Sequence, residues 1–281
     1  MKSLYFFVSF LLSNSLQAQV DDYTFHTLYR TFEEGSEQLI LRDSSLLKTA
    51  PALVATTLQV LPIGTTIQVL ERMDERTTIK GFLTNWYRVQ TQQSGKLIEG
   101  FVWGGNIAVG SHIGRDTSVR FMYGVAAIEL IDRGDYQDPS ILLEINTCKG
   151  NQLVDQLTTT AAGTIYTQTQ IRATGNRGVR GIQEVLELAF SDGYCGGVSA
   201  EIVIFWTGRK LHFIKLLSQG FSDKSFARQY LVYPADKGGQ SQTILYQRQI
   251  GIISTQKREK ITEQSTIKYG WNGLELVKVG A

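Results

Sequence analysis

Residues 58–72 read LQVLPIGTTIQVLER, residues 85–90 read NWYRVQ, and residues 99–109 read EGFVWGGNIAV. Each apolar block in these stretches is short, is rich in β-branched and aromatic residues, and ends at Gly, Asn or Pro. This composition is typical of short antiparallel strands that are joined by tight turns. The sequence therefore predicts that this part of the chain folds as a small β-structure.

The order of these blocks resembles the bacterial SH3-like (SH3b) module. The matching segments are Leu41-Arg42, Ala50-Pro51, LPIGT at 61–65, WYRV at 86–89 and GFVW at 100–103. The resemblance covers about a quarter of the chain. It implies a small β-barrel over residues 37–109 that binds a ligand and performs no chemistry. The implied partners are a peptide, a peptidoglycan fragment or an envelope protein.

The N-terminus has the three-part layout of a secretory signal peptide. Lys2 precedes an apolar run over residues 4–12, and a small polar stretch ends at Ala18. The run is shorter than the ~20 residues of a membrane-spanning helix, and no later run approaches that length. We therefore predict a signal peptide over residues 1–18 and a soluble, exported protein, periplasmic or secreted, without a membrane span. A buried N-terminal helix or strand is the alternative.

Charge and length limit the partners and the number of domains. The formal net charge of the 281 residues is only +2, and the Lys and Arg residues are scattered. This argues against nucleic acid or an anionic membrane as the main partner. A chain of this length suggests two domains. We place the boundary in the polar stretch 110–116, with the second domain over residues 117–281.

The second domain also has the pattern of β-strands. Strands are predicted over 118–130, 141–147, 183–191, 201–206, 211–217, 243–250, 266–271 and 274–279. Residues 183–191 could form a helix, but their alternation favours a strand. Together with the N-terminal module, this predicts a mainly β fold, in which an SH3-like small barrel precedes a second antiparallel β-domain.

Two hairpins in this second domain share a motif. Trp206-x-Gly208-x-x-Leu211 and Trp271-x-Gly273-x-x-Leu276 each lie between alternating segments. The motif reflects either a faint internal repeat or the same turn chemistry used twice. In the second hairpin, Asn272-Gly273 favours positive φ at both residues.

The candidate ligand site is aromatic. Trp86, Arg88, Phe101 and Trp103 lie on neighbouring predicted strands, where aromatic rows bind extended peptides in related barrels. Alternation places Trp86 and Arg88 on one face, and Tyr87 and Val89 on the other. We expect Tyr87 and Val89 to be buried, and Trp86 to be partly exposed so that it stacks on a ligand while Arg88 pairs with a carboxylate. Core packing is the alternative for each aromatic residue.

The cysteines and histidines carry the remaining candidates. An even cysteine count after a signal peptide suggests a Cys148–Cys195 disulfide, and two free thiols are the alternative. The competing function is a cell-wall hydrolase with Cys195 as nucleophile and His212 as base. The peptidases that accompany SH3-like modules have an Asp-Cys-Ser-Gly stretch that opens a helix, which this chain lacks.

No metal or cofactor site is expected, because the three His residues are far apart and show no ligand spacing. We therefore expect a non-catalytic binding protein rather than an enzyme. A third hypothesis is that the protein is a purely structural or assembly subunit, and a large exposed apolar patch would support it.

Overall fold

A computed structural model describes residues 31–93, 95–132, 134, 137–161, 168–191, 198–254, 256 and 258–280. In these residues every regular element is a β-strand, apart from one short 3-10 turn at Gly104–Asn106. All strand pairs are antiparallel. The predicted mainly β fold is confirmed. The predicted signal peptide lies outside the described residues.

Six strands form the first sheet, which we call the N-terminal sheet. They are β1 (Glu37–Leu39), β2 (Ser45–Lys48), β3 (Thr57–Leu61), β4 (Thr66–Ile79), β5 (Phe82–Gln93) and β6 (Lys96–Trp103). Their spatial order is β1-β4-β5-β6-β2-β3. The long β4–β5 hairpin turns at Lys80 and Gly81, whose φ angles of 51° and 74° match the twist of the strands.

Four strands form the middle sheet, in the order β10-β9-β8-β7. They are β7 (Gly110–Ile113), β8 (Val119–Asp132), β9 (Gln137–Lys149) and β10 (Gln152–Thr160). The predicted strands at 118–130 and 141–147 correspond to β8 and β9.

Eight strands form the C-terminal sheet, in which each strand pairs with the next along the chain. They are β11 (Gln168–Ala173), β12 (Glu184–Ser191), β13 (Val198–Trp206), β14 (Leu211–Phe221), β15 (Ser225–Val232), β16 (Ile244–Ile253), β17 (Glu259–Trp271) and β18 (Leu276–Lys278). The antiparallel sheets of the molecule include a half-barrel. The choice of a strand over a helix at 183–191 is confirmed by β12.

The middle sheet packs against both of the other sheets, and alternation along β8 shows which side chains make the contacts. Phe121 and Tyr123 point into a core that includes the inner faces of β12 and β13. Met122, between them, points the other way and packs with Leu39 and Leu41 of the N-terminal part of the chain. The central part of β8 is therefore buried on both faces, and the three sheets are layers that share their cores.

The two hairpins with the shared motif have loops of the same length. Trp206 pairs with Leu211, and Trp271 pairs with Leu276, so four residues form each loop. Gly273 has a φ of 99°, but Asn272 is not in the positive-φ region. The positive φ predicted for Asn272 is wrong, because its side-chain oxygen instead accepts the backbone N–H groups of Leu274 and Glu275.

A third loop indicates that turn chemistry accounts for the motif. Phe221 pairs with Phe226 across another four-residue loop that has neither Trp nor Gly. Its first residue, Ser222, accepts the backbone N–H of Ser225 at 3.0 Å, as Asn272 does for Glu275. A polar side chain at the first loop position is thus the shared feature.

Candidate binding groove on the N-terminal sheet

The two predicted tryptophans lie in the core rather than at a rim. Trp86 and Trp103 are paired across β5 and β6, and each is only 2% exposed. The indole N–H of Trp86 donates to the hydroxyl of Thr77 at 2.7 Å, and that of Trp103 donates to the Thr77 carbonyl at 2.9 Å. The predicted partial exposure of Trp86 is wrong, because the core shared with the other two sheets covers its ring.

Arg88 and Phe101 are accessible, but they do not form a free anion site. The Arg88 side chain is 40% exposed and forms ion pairs with Glu71 at 3.2 Å and Glu99 at 3.0 Å. Phe101, its cross-strand partner, is half-buried. The charge of Arg88 is therefore already matched by two carboxylates, and no row of four exposed contact residues exists.

The expected burial of Tyr87 and Val89 is confirmed. Both side chains are fully buried in the core of the N-terminal sheet. The ring of Phe32 packs edge-on against that of Tyr87, with the centroids 5.2 Å apart. The alternation along β5 therefore predicts the buried face correctly, and only the predicted exposure of Trp86 on the opposite face is wrong.

The two residues of the competing enzyme hypothesis are not seen together. His212 is half-buried and packs edge-on against the ring of Trp271, with 5.3 Å between the centroids. Cys195 lies outside the described residues, so the disulfide stays a prediction. Cys148 is buried and has no disulfide partner among the described residues, and burial raises the pKa of its thiol.

An open groove of about 790 Å³ lies elsewhere on the N-terminal sheet. One wall is a row of amides on neighbouring strands. Gln68 of β4 pairs with Gln90 of β5, and Gln92 follows two residues later on the same face. Gln68 and Gln92 are exposed, so their amides face solvent in the groove.

The other wall joins the N-terminal sheet to the middle sheet. The amide of Asn151, which follows β9, donates to the hydroxyl of Thr65 at 3.1 Å. Thr65 in turn donates to the carbonyl of Pro62 at 2.7 Å. Gly64 makes this approach possible: its φ is 75°, and a Cβ there would lie 2.7 Å from the carbonyl oxygen of Gly150.

The groove is polar and almost uncharged. Amides and hydroxyls dominate its lining, and Glu37 is the one charged residue among the described residues that line it. A second depression of about 340 Å³ is also lined by Glu37 and Thr66, and extends to Arg120. Amides both donate and accept hydrogen bonds. The lining therefore suits an extended polar ligand that carries little charge.

Sequence reasoning missed these residues because it followed the aromatic positions of the same strands. The available signal was the alternate spacing of Gln90 and Gln92, which places two amides on one face of a strand. No comparable sequence pattern indicates that Asn151 belongs to the groove, because this residue reaches it from a different sheet.

The described residues contain no helix that is long and apolar enough to cross a membrane. Nor do they contain a group of three or more His, Cys, Asp or Glu side chains that could hold a metal ion. No family model, curated protein or solved structure matches the chain.

Proposed function

We propose that this protein is an exported, non-catalytic binding protein and that its N-terminal sheet, as an SH3-like module, holds the ligand. The observation that carries the proposal is the amide-lined groove. The layout of Lys2, the apolar run 4–12 and Ala18 supports export.

The ligand that we propose is an extended peptide or the peptide-bearing part of a peptidoglycan fragment. A peptide presents alternating N–H and C=O groups, and a row of glutamines can match both. The amides of Gln68 and Gln92 are free to turn toward such a ligand, because both side chains are exposed. Amides and threonine hydroxyls do not ionise near neutral pH, so these lining groups suit binding rather than acid–base chemistry.

The test compares a groove variant with a matched surface variant. Purified full-length protein would be titrated with soluble peptidoglycan fragments and with a peptide of the same stem sequence. The double variant Gln68→Ala/Gln92→Ala removes two neutral hydrogen-bonding groups worth about 0.5–1.5 kcal/mol each. We expect binding to weaken about tenfold or more.

Gln264→Ala is the control, because Gln264 is an exposed amide on β17, far from the groove. It should bind as the unchanged protein does. Both variants should retain the native melting temperature, since the altered side chains are exposed. Equal binding by the double variant, or no binding of either ligand by the unchanged protein, would refute the proposal.

A further inference from the structure

A cavity smaller than the two depressions described above is lined by residues of the C-terminal part of the chain. Its volume is about 200 Å³, and six of its lining residues carry a charge or a phenol: Arg172, Arg177, Glu187, Glu201, Tyr230 and Tyr233. We call it the charged cavity. It is smaller than the roughly 300–1,000 Å³ of sites for drug-sized ligands. It therefore suits one end group of a ligand.

Arg177 is fixed in this cavity and has its partners already. Its guanidinium makes a two-point contact with Asp236, at 2.6 and 3.1 Å, and donates to Glu187 at 2.9 Å. It also stacks 4.1 Å from the ring centroid of Tyr233. Arg177 has a φ of 46°, which is unusual for a residue with a side chain. The positive charge of Arg177 is therefore already neutralised by the carboxylates of Asp236 and Glu187.

Two polar groups of the cavity lack such partners. The hydroxyl of Tyr233 has no hydrogen-bond partner in the described part of the chain, although the residue is only 1% exposed. An unpaired buried hydroxyl is costly, so a native structure that keeps one calls for an explanation. The carboxylate of Glu201 is 27% exposed, and its ion pair is a loose one of 3.8 Å to Arg172.

The charged residues that line the cavity, together with Asp236 behind Arg177, include more acids than bases. Glu187, Glu201 and Asp236 oppose Arg172 and Arg177, and both guanidiniums also contact Glu187. Arg172 is the weaker of the two cations here, because its side chain is 49% exposed. The carboxylate left with the least compensation is therefore that of Glu201.

We propose that the charged cavity binds a primary ammonium group, such as the end of an amine or of a lysine side chain. The ammonium has three donors and no acceptor. The ammonium group would donate one hydrogen bond to the Glu201 carboxylate and another to the Tyr233 oxygen. Each of these two acceptors would then have the donor that the protein itself does not provide. This site lies on a different sheet from the amide-lined groove, and neither proposal depends on the other.

Three isosteric probes test the proposal on the full-length protein. Calorimetric titration with n-butylammonium chloride, n-butanol and sodium butyrate varies only the end group. We expect n-butylammonium to bind, and the neutral and anionic probes to bind at least tenfold more weakly or not at all. Absence of n-butylammonium binding, or equal binding of n-butanol, would overturn the proposal and indicate a cavity that holds water only.

Two variants locate the site. Glu201→Gln keeps the shape of the side chain and removes its charge, so it should weaken n-butylammonium binding about tenfold or more. Tyr233→Phe removes the unpaired hydroxyl and should weaken binding several-fold. The control Glu263→Gln, on exposed β17, should bind as the unchanged protein does. Unaltered binding by folded Glu201→Gln would also overturn the proposal.

Discussion

At the scale of single residues, Thr77 provides the hydrogen-bond acceptors for two buried tryptophans, Trp86 and Trp103. Its hydroxyl accepts from Trp86 and its carbonyl accepts from Trp103. A buried indole N–H needs such a partner, because an unpaired one costs free energy. Both rings can therefore lie inside the protein without a polar penalty, and neither needs a position at the surface.

We expect Trp86→Ala to destabilise the protein by about 3–5 kcal/mol, as large-to-small changes of core aromatics do. Arg88→Ala, two residues further along β5, should cost less than about 1 kcal/mol because its ion pairs are exposed. Denaturant unfolding of both variants measures the difference. A Trp86→Ala variant with native stability would show that the ring does not lie in the core.

The burial of Trp86 shows that the sequence of a single strand does not reveal whether another sheet covers one of its faces. Alternation along β5 correctly places Tyr87 and Val89 inside, because it depends only on neighbouring residues. The face that carries Trp86 is covered by residues such as Phe121 and Leu143, from another sheet. Such contacts join distant parts of the chain, so the pattern of one strand cannot reveal them.

At the scale of elements, turns were more predictable than exposed strands. The turn after Trp271 can be predicted from two residues of its own four-residue loop, Asn272 and Gly273. Strand β10 was missed, since its Leu153 is 43% exposed while Asp155 is half-buried. Asp155 points inward because its carboxylate accepts the backbone N–H of Leu211, at 2.7 Å, from another sheet. At these two positions the apolar residue is therefore exposed and the charged residue is half-buried. This is the opposite of the alternation that indicates a half-buried strand.

The candidate groove was hidden for a related reason. Gln68 and Gln92 could have been placed on one face of a hairpin from their spacing. The opposite wall exists only because Gly64 lets its turn approach Gly150, which is 86 positions later in the chain. Sequence order alone does not show that these two turns meet.

The neighbouring strands β12 and β13 bring two carboxylates close together. Burial, and then the charge of Glu187, raise the pKa of Glu201 above its ordinary value of 4.5, while Arg172 and Arg177 lower it. The groups that face Glu201 also include the uncharged phenol of Tyr233 and, behind Arg177, Asp236. The balance is a carboxyl group whose pKa is higher in the folded protein than in the unfolded chain.

This raised pKa predicts a pH dependence of stability. Since the folded state holds the proton more tightly than the unfolded state, Glu201 destabilises the fold as the pH rises from about 4.5 through its raised pKa. Without ligand, Glu201→Gln should therefore be more stable than the unchanged protein at pH 7. The difference should vanish below the ordinary glutamate pKa.

Urea unfolding at several pH values measures this difference. Glu263→Gln provides the comparison for an exposed carboxylate in the same sheet. A Glu201→Gln variant that is less stable than the unchanged protein at pH 7 would contradict the prediction, since the Arg172 ion pair would then outweigh burial.

At the scale of the whole molecule, polar contacts between the layers reinforce their shared cores. Arg42 forms an ion pair with Glu144 of the middle sheet at 3.2 Å, and Asn146 donates to the Leu41 carbonyl at 2.9 Å. Between the middle and C-terminal sheets, the buried carboxylate of Glu184 accepts the backbone N–H of Arg115 at 2.7 Å. It also accepts the backbone N–H of Gly175, within the C-terminal part of the chain, at 2.7 Å. Separating any two layers would leave buried groups unpaired, which is costly.

These contacts predict that the three sheets unfold together. Guanidinium unfolding of the full-length protein should give one transition, with coincident curves from tryptophan fluorescence and from far-ultraviolet circular dichroism. Met122→Ala opens a cavity between the N-terminal and middle sheets, where the residue is fully buried, and should cost about 2–5 kcal/mol. Both curves should shift by the same amount, because a loss at one interface weakens the single cooperative unit.

Leu130→Ala, on the same strand β8, is the matched control, because Leu130 is 45% exposed and should change stability by about 0.5 kcal/mol or less. Two separate transitions, or a Met122→Ala variant in which only one signal shifts, would show that the layers are independent domains. Their contact would then be a docked interface that can open on its own, and the amide-lined groove, whose walls come from two of these layers, would open with it.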